Sequence, residues 1–296
     1  MSTNDGSTND GSTDDGSRTG VGASGVGVSG VSVTEQPLLD IRDLSVSYHR
    51  RGKGTPAIRD VSLDIRPGET VALVGESGSG KSTLGRAVLG LTAVTQGTIL
   101  FDGEDITHAG GARRKELSKS VQAVFQDPNG SLNPALTVGQ TLAEPLRVHS
   151  REDRAVVLKR VREVLALVGL PTEAADRYPR QFSGGQRQRI AIARALVMAP
   201  KLIVCDEPVS ALDLSVQAQV LNLFSDLQRE TGVSYLFISH DLAVVRHLAQ
   251  RIVVLYRGDV VESGTTEEVY AEAQHPYTRK LLAAAGVEGT LTRSTC

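Results

Sequence analysis

Residues 71–83, which read VALVGESGSGKST, have the residue types and spacing needed to bind a phosphate chain. Gly75, Gly80, Lys81 and Ser82 stand in the order G-x-x-x-x-G-K-S. Small residues in such a loop let consecutive backbone N–H groups turn inward, and the following helix adds its positive N-terminal end. The lysine reaches the β- and γ-phosphates of a nucleotide, and the serine hydroxyl ligates Mg²⁺. We predict a nucleotide phosphate site formed by Gly75, Glu76, Ser77, Gly78, Ser79, Gly80, Lys81, Ser82 and Thr83.

The alternative explanation of this stretch is an ordinary glycine-rich turn between a strand and a helix. The four apolar residues VALV before the loop predict a buried strand, and KSTLGRAVLG after it has helical spacing. A phosphate-binding loop requires a strand before it and a helix after it, so the sequence around the motif favours the functional interpretation.

Polar residues follow three other apolar runs, each of which predicts a buried strand. Gln126 follows VQAVF, Asp206 and Glu207 follow LIVC, and His240 follows YLFIS. Taken singly, Gln126 could be a surface residue, and His240 could simply satisfy the hydrogen bonds of its neighbours. Asp206 and Glu207 could be an exposed acidic pair or charges at a helix start. Ligands in an open α/β sheet sit at the carboxyl ends of strands, however, and nucleotide hydrolysis needs an acid for Mg²⁺ and a group that positions water. Asp206 fits the metal role, and Glu207, on the opposite side of the strand end, fits the water-polarising role.

The bulk properties exclude several other classes. The chain has 296 residues and a formal net charge of −2, and it has no run of basic residues that would indicate nucleic-acid binding. Its two cysteines predict neither a disulfide framework nor a metal cluster. No apolar stretch approaches the roughly 18 residues of a membrane-spanning helix, and no secretory signal is expected at the N-terminus. A role at a membrane would therefore require other chains.

The chain divides into three predicted parts. Residues 1–36 begin with the repeats STNDG, STNDG and STDDG, and we expect this low-complexity tail to be disordered. Residues 37–286 alternate strands and helices and predict an α/β domain with a mainly parallel sheet, an antiparallel first part and a helical insertion at about 127–183. Thr265 and Glu268 have the spacing of a capping box, and residues 287–296 are expected to be flexible.

The segment FSGGQRQR at 182–189 closely resembles the signature of ATP-binding-cassette (ABC) ATPases. It lies upstream of LIVCDEP, with SALD at 210–213 and ISHD at 238–241 downstream, and the resemblance covers residues 38–286. The resemblance implies a P-loop NTPase (RecA-like) core with an antiparallel β subdomain and a helical signature subdomain. It also implies an ATPase that uses ATP and Mg²⁺ and works as a dimer of cassettes.

Carried over to this sequence, the resemblance implies a role for each matching residue. Mg²⁺ would be held by Ser82, Gln126 and Asp206. Glu207 would be the catalytic base and His240 the γ-phosphate sensor, with Lys81 acting on the phosphates. Tyr48 would stack on adenine, although an alternating edge strand could instead place a core tyrosine there. Asp213 would communicate across the dimer, and the ATP of a partner cassette would be bound by Ser183, Gly184, Gly185 and Gln186.

Two further stretches resemble the oligopeptide, dipeptide and nickel importer branch of that family, namely QDPNGSLNP at 126–134 and HPYTRKLL at 275–282. As local structure, His275 and Pro276 predict a helix start. The branch implies an energy-coupling subunit of a peptide importer, peripheral at the cytoplasmic face of the membrane. Its partners would be a second ABC ATPase subunit, transmembrane permease subunits and, indirectly, a substrate-binding protein. Cys296 is the only cysteine after the HPYT stretch, so an iron–sulfur site is not expected. The preferred assembly is a heterodimer with a longer cassette. A non-transport cassette, such as a carbon–phosphorus lyase subunit, remains the alternative.

Overall fold

The computed structural model describes residues 36–50, 53–150 and 152–286. The predicted tail at 1–35 and the predicted flexible end at 287–296 lie outside these residues. Within the described part, no helix is both long and apolar enough to cross a membrane.

The smaller of the two sheets is antiparallel and has the strand order β2-β1-β4-β5. Its strands are β1 (Leu39–Arg50), β2 (Lys53–Ile65), β4 (Gln96–Phe101) and β5 (Glu104–Asp105). The alternation of apolar and polar residues in β1 explains its burial pattern, since Leu39, Ile41, Leu44 and Val46 are all buried. The sequence predicted this antiparallel first part.

The larger sheet has six strands in the order β10-β9-β3-β8-β7-β6, and only β10 runs antiparallel to its neighbour. Its strands are β3 (Thr70–Val74), β6 (Val121–Phe125), β7 (Leu202–Asp206), β8 (Ser234–Ser239), β9 (Arg251–Tyr256) and β10 (Asp259–Thr265). In the register of the parallel strands, Val74 pairs with Ser239 and Phe125 with Asp206. The polar residues that follow β3, β6, β7 and β8 therefore meet at one edge of the sheet.

Ten α-helices and two short 3₁₀ helices (Thr172–Asp176 and Pro179–Gln181) are formed by the described residues. The α-helices are α1 (Lys81–Val88), α2 (Gly111–Leu117), α3 (Pro128–Ser131), α4 (Val138–His149), α5 (Arg154–Leu167), α6 (Gly184–Leu196), α7 (Leu214–Thr231), α8 (Leu242–Leu248), α9 (Thr266–Glu272) and α10 (Pro276–Ala284). The predicted capping box between Thr265 and Glu268 is present at the start of α9. Helix α7 is followed by Gly232, whose φ of +70° is the left-handed conformation that commonly ends a helix.

The two faces of the large sheet bury different sets of side chains. Leu73 of β3 joins a core shared with the small sheet and α1. Its neighbours Ala72 and Val74 point to the other face, where they pack with α8, α9 and α10. Farther along that face, β6, β7 and β8 pack against α4 to α7. Because both faces are covered, the strands are apolar throughout, as buried parallel strands are. The predicted α/β fold with a mainly parallel sheet is confirmed.

Candidate functional site

The loop between β3 and α1 is folded around its own lysine. The Lys81 side chain is buried, and its Nζ donates hydrogen bonds to the backbone oxygens of Gly75 at 2.7 Å and Glu76 at 2.8 Å. Burial lowers the pKa of Lys81, while the nearby carboxylates of Glu207 and Asp206 act in the opposite direction. The ammonium group thus lies beside both acids of the LIVCDEP segment and is held by groups that a phosphate could replace.

Two glycines of the loop are required by close backbone approach. Gly75 has φ +153°, and a Cβ there would lie 2.2 Å from the carbonyl oxygen of Leu255 in β9. Gly80 has φ +110°, and its Cβ would lie 2.7 Å from the carbonyl oxygen of Ala57 in β2. Any larger residue at either position would have to displace backbone. The fixed glycines of the motif therefore follow from the packing of the loop against both sheets.

Helix α1 presents its N-terminus to this loop. Gly80 is the N-cap residue, and the first turn has no acidic side chain that would neutralise the helix dipole. Ser82, in that first turn, donates from its Oγ to Oδ1 of Asp206 at the end of β7, at 2.9 Å. A hydroxyl and a carboxylate are the hard oxygen donors that Mg²⁺ accepts, so the chemistry of this pair fits the ion. Gln126, predicted as a third donor, is exposed and directly follows β6, the strand beside β7.

Glu207 and His240 form the other half of this edge. Oε1 of Glu207 lies 3.2 Å from Nδ1 of His240, and the Glu207 side chain is only 19% exposed whereas that of His240 is 55% exposed. Glu207 has φ +50°, a left-handed conformation that is uncommon for residues other than glycine. A small cleft of about 70 Å³ lies beside the pair, and Ser210, Gln217 and Ser239 contribute to its wall. The pair is therefore open to solvent on the histidine side.

Tyr48 lies on the surface near the helix that follows the loop. It is 44% exposed, and its hydroxyl lies 3.3 Å from Oγ1 of Thr83. The hydrogen bond with Thr83 lowers the pKa of Tyr48, and burial opposes this shift. The alternative considered from the sequence, a core tyrosine at this position, is therefore wrong, and the ring is accessible to a planar ligand beside the loop.

The SGGQ segment forms the N-terminus of α6. Ser183 is its N-cap, with Oγ accepting from the Gln186 N–H at 3.3 Å, while Oε1 of Gln186 accepts from the Ser183 N–H at 3.0 Å. Gly184 and Gly185 occupy the first turn, and a Cβ on Gly185 would lie 2.4 Å from Cγ1 of Val216 in α7. Among the described residues, no hydrogen bond joins this segment to residues 75–83 of the same chain.

Asp213 is the N-cap of α7. Its Oδ1 accepts from the Val216 N–H at 3.0 Å and from the Ser215 hydroxyl at 2.8 Å, and the Ser215 bond is the main reason that the pKa of Asp213 is lowered. This local capping accounts for an acid at the position without any partner chain. The role in communication across a dimer that the resemblance implies for Asp213 would act at this exposed N-terminus of α7.

Tyr277 contacts the phosphate-binding loop, and sequence reasoning missed this. Its hydroxyl accepts a hydrogen bond from the backbone N–H of Glu76 at 2.7 Å. The sequence predicted the HPYT stretch only as a helix start, and His275 is indeed the N-cap of α10, with Nδ1 accepting from the Tyr277 N–H at 3.2 Å. The contact joins residues 201 positions apart, so no local pattern could have indicated it.

A groove of about 370 Å³ lies away from these residues, between β6 and helices α4 and α6. Its walls include the half-exposed apolar side chains of Phe125 and Val148, together with Glu144, His149 and Arg194. Phe125, which lines the groove, directly precedes Gln126. The groove therefore adjoins the edge of the sheet where the other polar residues meet.

Comparison with known proteins gives consistent matches. A family profile described as ABC transporter matches residues 58–210. The putative peptide import ATP-binding protein BOV_A0347 of Brucella ovis is 50% identical over 252 residues, which cover 85% of this chain and 80% of that protein. The glutathione import ATP-binding protein GsiA of Salmonella paratyphi A is 49% identical over 262 residues, covering 86% of this chain. The chain spans only 42% of the length of that relative.

Two solved structures resemble the fold closely. One is a dimeric structure of a post-hydrolysis state of the ATP-binding cassette MJ0796 bound to ADP and Pi, with a TM-score of 0.69 and 31% identity, covering 77% of this chain and 98% of that one. The other is cbiO1 from Clostridium perfringens, part of the ABC transporter complex cbiONQ, with a TM-score of 0.73 and 30% identity, covering 84% of this chain and 96% of that one.

Proposed function

The chain belongs to the ABC transporter family, as its motifs predicted, and from this membership we propose that it is the ATP-hydrolysing, energy-coupling subunit of a peptide importer. Relatives named for peptide import and for glutathione import support this substrate class, since glutathione is itself a short peptide. Binding of ATP closes a dimer of cassettes, and hydrolysis reopens it.

The observation that carries the proposal is the contact between Ser82 and Asp206. The two side chains come from the loop after β3 and from the end of β7, and they meet at 2.9 Å. Bound Mg²⁺ would be held by Ser82, Asp206 and Gln126, and it would neutralise charge on the β- and γ-phosphates. The buried ammonium of Lys81 lies next to this pair and binds the phosphates directly when it leaves the carbonyls of Gly75 and Glu76.

Glu207 and His240 act on the attacking water and the terminal phosphate. Glu207 accepts a proton from the water as general base, and His240 fixes the orientation of its carboxylate through the 3.2 Å contact. The imidazole, which is the more exposed partner, is also free to donate a hydrogen bond to the γ-phosphate. The left-handed backbone of Glu207 is the kind of local strain that persists where a side chain must be aimed at a reacting group.

A second cassette completes the site. The N-terminus of α6 at Ser183 is a second anion site, because the partly exposed Gly184 and Gly185 open the helix there and the helix dipole is positive at that end. It has no hydrogen bond to the phosphate loop of its own chain within the described residues, so it serves the ATP held by a partner, and the partner's corresponding segment serves this loop. Asp213, at the adjoining helix start, lies at the same surface. The preferred partner is a longer cassette in a heterodimer.

The groove between β6, α4 and α6 is the surface for the permease. Phe125 and Val148 supply exposed apolar area, and Glu144, His149 and Arg194 supply polar groups, a composition that suits a docked amphipathic helix. Movement at this groove reaches Gln126 and the Mg²⁺ position through β6. This chain is peripheral at the cytoplasmic face of the membrane, and the peptides pass through the permease subunits, which receive them from a substrate-binding protein.

The proposal is tested by reconstitution. If the neighbouring genes encode permease subunits, a second ATPase and a binding protein, the chain is co-expressed with that permease and ATPase and placed in proteoliposomes with the binding protein. Uptake of a radiolabelled peptide should require ATP and should stop with Glu207→Gln in this chain. If ATP is hydrolysed but peptide is not taken up at any binding-protein concentration, the ATPase assignment stands and the importer assignment is wrong.

A further inference from the structure

Helix α10 contacts the phosphate-binding loop through the hydroxyl of Tyr277. The Tyr277 hydroxyl accepts from the backbone N–H of Glu76 at 2.7 Å, and Tyr277 as a whole is only 7% exposed. We propose that Tyr277 is a positioning residue that orders the loop for nucleotide binding, so that the segment at 274–277 sets the affinity of the site for ATP. The inference rests on the proposed function, because it concerns the same loop.

The ring of Tyr277 is fixed by stacking. Its centroid lies 4.2 Å from that of Tyr256, with 36° between the ring planes. Tyr256 is the last residue of β9, the strand that pairs in parallel with β3 immediately before the loop. The guanidinium of Arg257 lies 5.0 Å from the Tyr256 ring centroid. The Tyr277 hydroxyl is therefore held near Glu76 by a ring that stacks on Tyr256 of the strand next to β3.

The backbone before α10 is fixed as well. The carboxylate of Glu262, on β10, accepts from the N–H of Gln274 at 2.6 Å and from the N–H of His275 at 3.0 Å. His275 in turn accepts from the Tyr277 N–H at 3.2 Å. Three hydrogen bonds thus hold residues 274–277, which is more than a helix start requires by itself.

Glu76 of the loop is held at both its backbone N–H and its backbone carbonyl. The N–H of Glu76 donates to Tyr277, and its carbonyl accepts from Nζ of Lys81 at 2.8 Å. Holding Glu76 in place before a nucleotide arrives lowers the entropy that binding must remove from the glycine-rich loop. Removing the Tyr277 hydroxyl should therefore weaken nucleotide binding, although this hydroxyl bonds the loop backbone and not the phosphates.

The test compares two tyrosine variants. Tyr277→Phe keeps the stacked ring and removes only the hydroxyl. Tyr270→Phe is the matched control, because Tyr270 lies in the preceding helix and its hydroxyl also bonds a backbone group, the carbonyl of Leu242. We measure the dissociation constant for MgADP by calorimetry, amide hydrogen exchange at Glu76 by NMR, and the melting temperature, all on the full-length chain. MgADP binding to the single chain does not depend on a partner cassette.

The dissociation constant of Tyr277→Phe should rise roughly three- to tenfold, the range expected for one hydrogen bond. Exchange at Glu76 should become faster in the absence of nucleotide. Tyr270→Phe should lower the melting temperature about as much as Tyr277→Phe does. It should leave both the dissociation constant for MgADP and amide exchange at Glu76 unchanged. Should Tyr277→Phe not fold, Glu262→Gln, which loosens the segment at 274–277 while keeping Tyr277, should move binding and exchange in the same direction.

The opposite results are equally clear. Unchanged MgADP binding and unchanged Glu76 exchange in Tyr277→Phe would make the tyrosine a packing residue only and overturn the inference, as would tighter binding. Failure of the unmodified chain to bind MgADP would instead overturn the proposed function, and this inference with it.

Discussion

Oε1 of Glu207 lies 3.2 Å from Nδ1 of His240 because two parallel strands end side by side. Asp206 is in register with Ile238, and the Glu207 N–H donates to the Ile238 carbonyl at 3.0 Å, which extends the ladder one step beyond β7. At that step the chain takes a left-handed conformation, and the Glu207 side chain is directed to His240 instead of continuing the alternation of the strand. The contact between Glu207 and His240 is thus a consequence of strand order.

Glu207→Gln tests the role of this carboxylate. The amide keeps the shape of the side chain but cannot take a proton, so we expect ATP binding to persist and hydrolysis to fall by about 100-fold or more. A closed dimer should accumulate, visible by size-exclusion chromatography with MgATP. Glu230→Gln, on an exposed part of α7, is the control and should keep normal turnover. Hydrolysis by Glu207→Gln at the normal rate would show that another group accepts the proton.

Asp206→Asn tests the metal role. The amide oxygen can still accept from Ser82, but the charge that attracts Mg²⁺ is lost. Affinity for ATP measured with Mg²⁺ should fall by at least about tenfold, since a hydrogen bond or ionic contact to a charged group contributes 1.5–3 kcal/mol. Affinity measured in EDTA should be unchanged, and this arm serves as the control. An equal loss with and without Mg²⁺ would argue that Asp206 organises the loop and does not bind the metal.

Local motifs explain why much of the site could be predicted from sequence. The phosphate loop, the acids after LIVC and the histidine after YLFIS each follow a short apolar run, and both the run and the polar residue are visible within about ten positions. The α/β class and the capping box at Thr265 depend on similarly short patterns. The structure agrees with the predicted α/β class and capping box and places the polar residues directly after their strands, while the chemical roles of these residues stay predictions.

Contacts between distant elements explain what could not be predicted. Helix α2 was missed because only Leu117 of its residues is buried, which leaves no apolar periodicity to detect. The contact of Tyr277 with Glu76 depends on β9 lying next to β3, and the contact of Glu207 with His240 depends on β7 lying next to β8. Strand order is fixed by the global packing of the chain, so neither contact has a local signal.

Gly185→Ala tests whether the signature helix must approach α7 closely. The new methyl group would meet Cγ1 of Val216 at 2.4 Å, whereas in Gly184→Ala the nearest atom would be Leu212 Cδ2 at 3.8 Å. Gly185→Ala should therefore lower the free energy of unfolding by about 1–3 kcal/mol, the usual cost of overpacking, and Gly184→Ala should cost much less. Denaturant unfolding of the single chain measures the difference.

The double variant Gly185→Ala with Val216→Ala makes this prediction sharper. Removing the opposing methyl groups should recover most of the stability lost in Gly185→Ala, which a double-mutant cycle quantifies. No recovery would mean that the cost comes from the backbone of the first turn and not from Val216. Hydrolysis should be reduced in both glycine variants in either case, since both residues belong to the proposed site for the partner's ATP.

A partly exposed ion pair connects the two sheets and predicts how stability depends on pH. Arg251 of β9 donates from two nitrogens to the two carboxylate oxygens of Asp64 in β2, at 2.9 and 3.0 Å. The hydrogen bond from Arg251 is the main reason that the pKa of Asp64 is lowered, and partial burial opposes it. Since the folded-state pKa lies below the unfolded value, the pair contributes stability above the unfolded pKa and loses it as pH falls through the folded pKa.

Asp64→Asn should therefore destabilise the chain at pH 7 and have progressively less effect as the pH falls below about 4, the ordinary pKa of an aspartate, and then through the lower folded-state pKa of Asp64. The expected cost at pH 7 is about 1 kcal/mol, because Asp64 is 38% exposed and water screens the pair. Asp259→Asn is the matched control, since Asp259 also joins the two sheets through Arg59 but with both side chains nearly half exposed, and its cost should be clearly smaller. Urea unfolding of the three proteins at pH 7 and at the lowest pH at which all three remain folded measures both effects. A difference between Asp64→Asn and the unmodified chain that is equally large at both pH values would assign the loss to packing and not to the charge of Asp64.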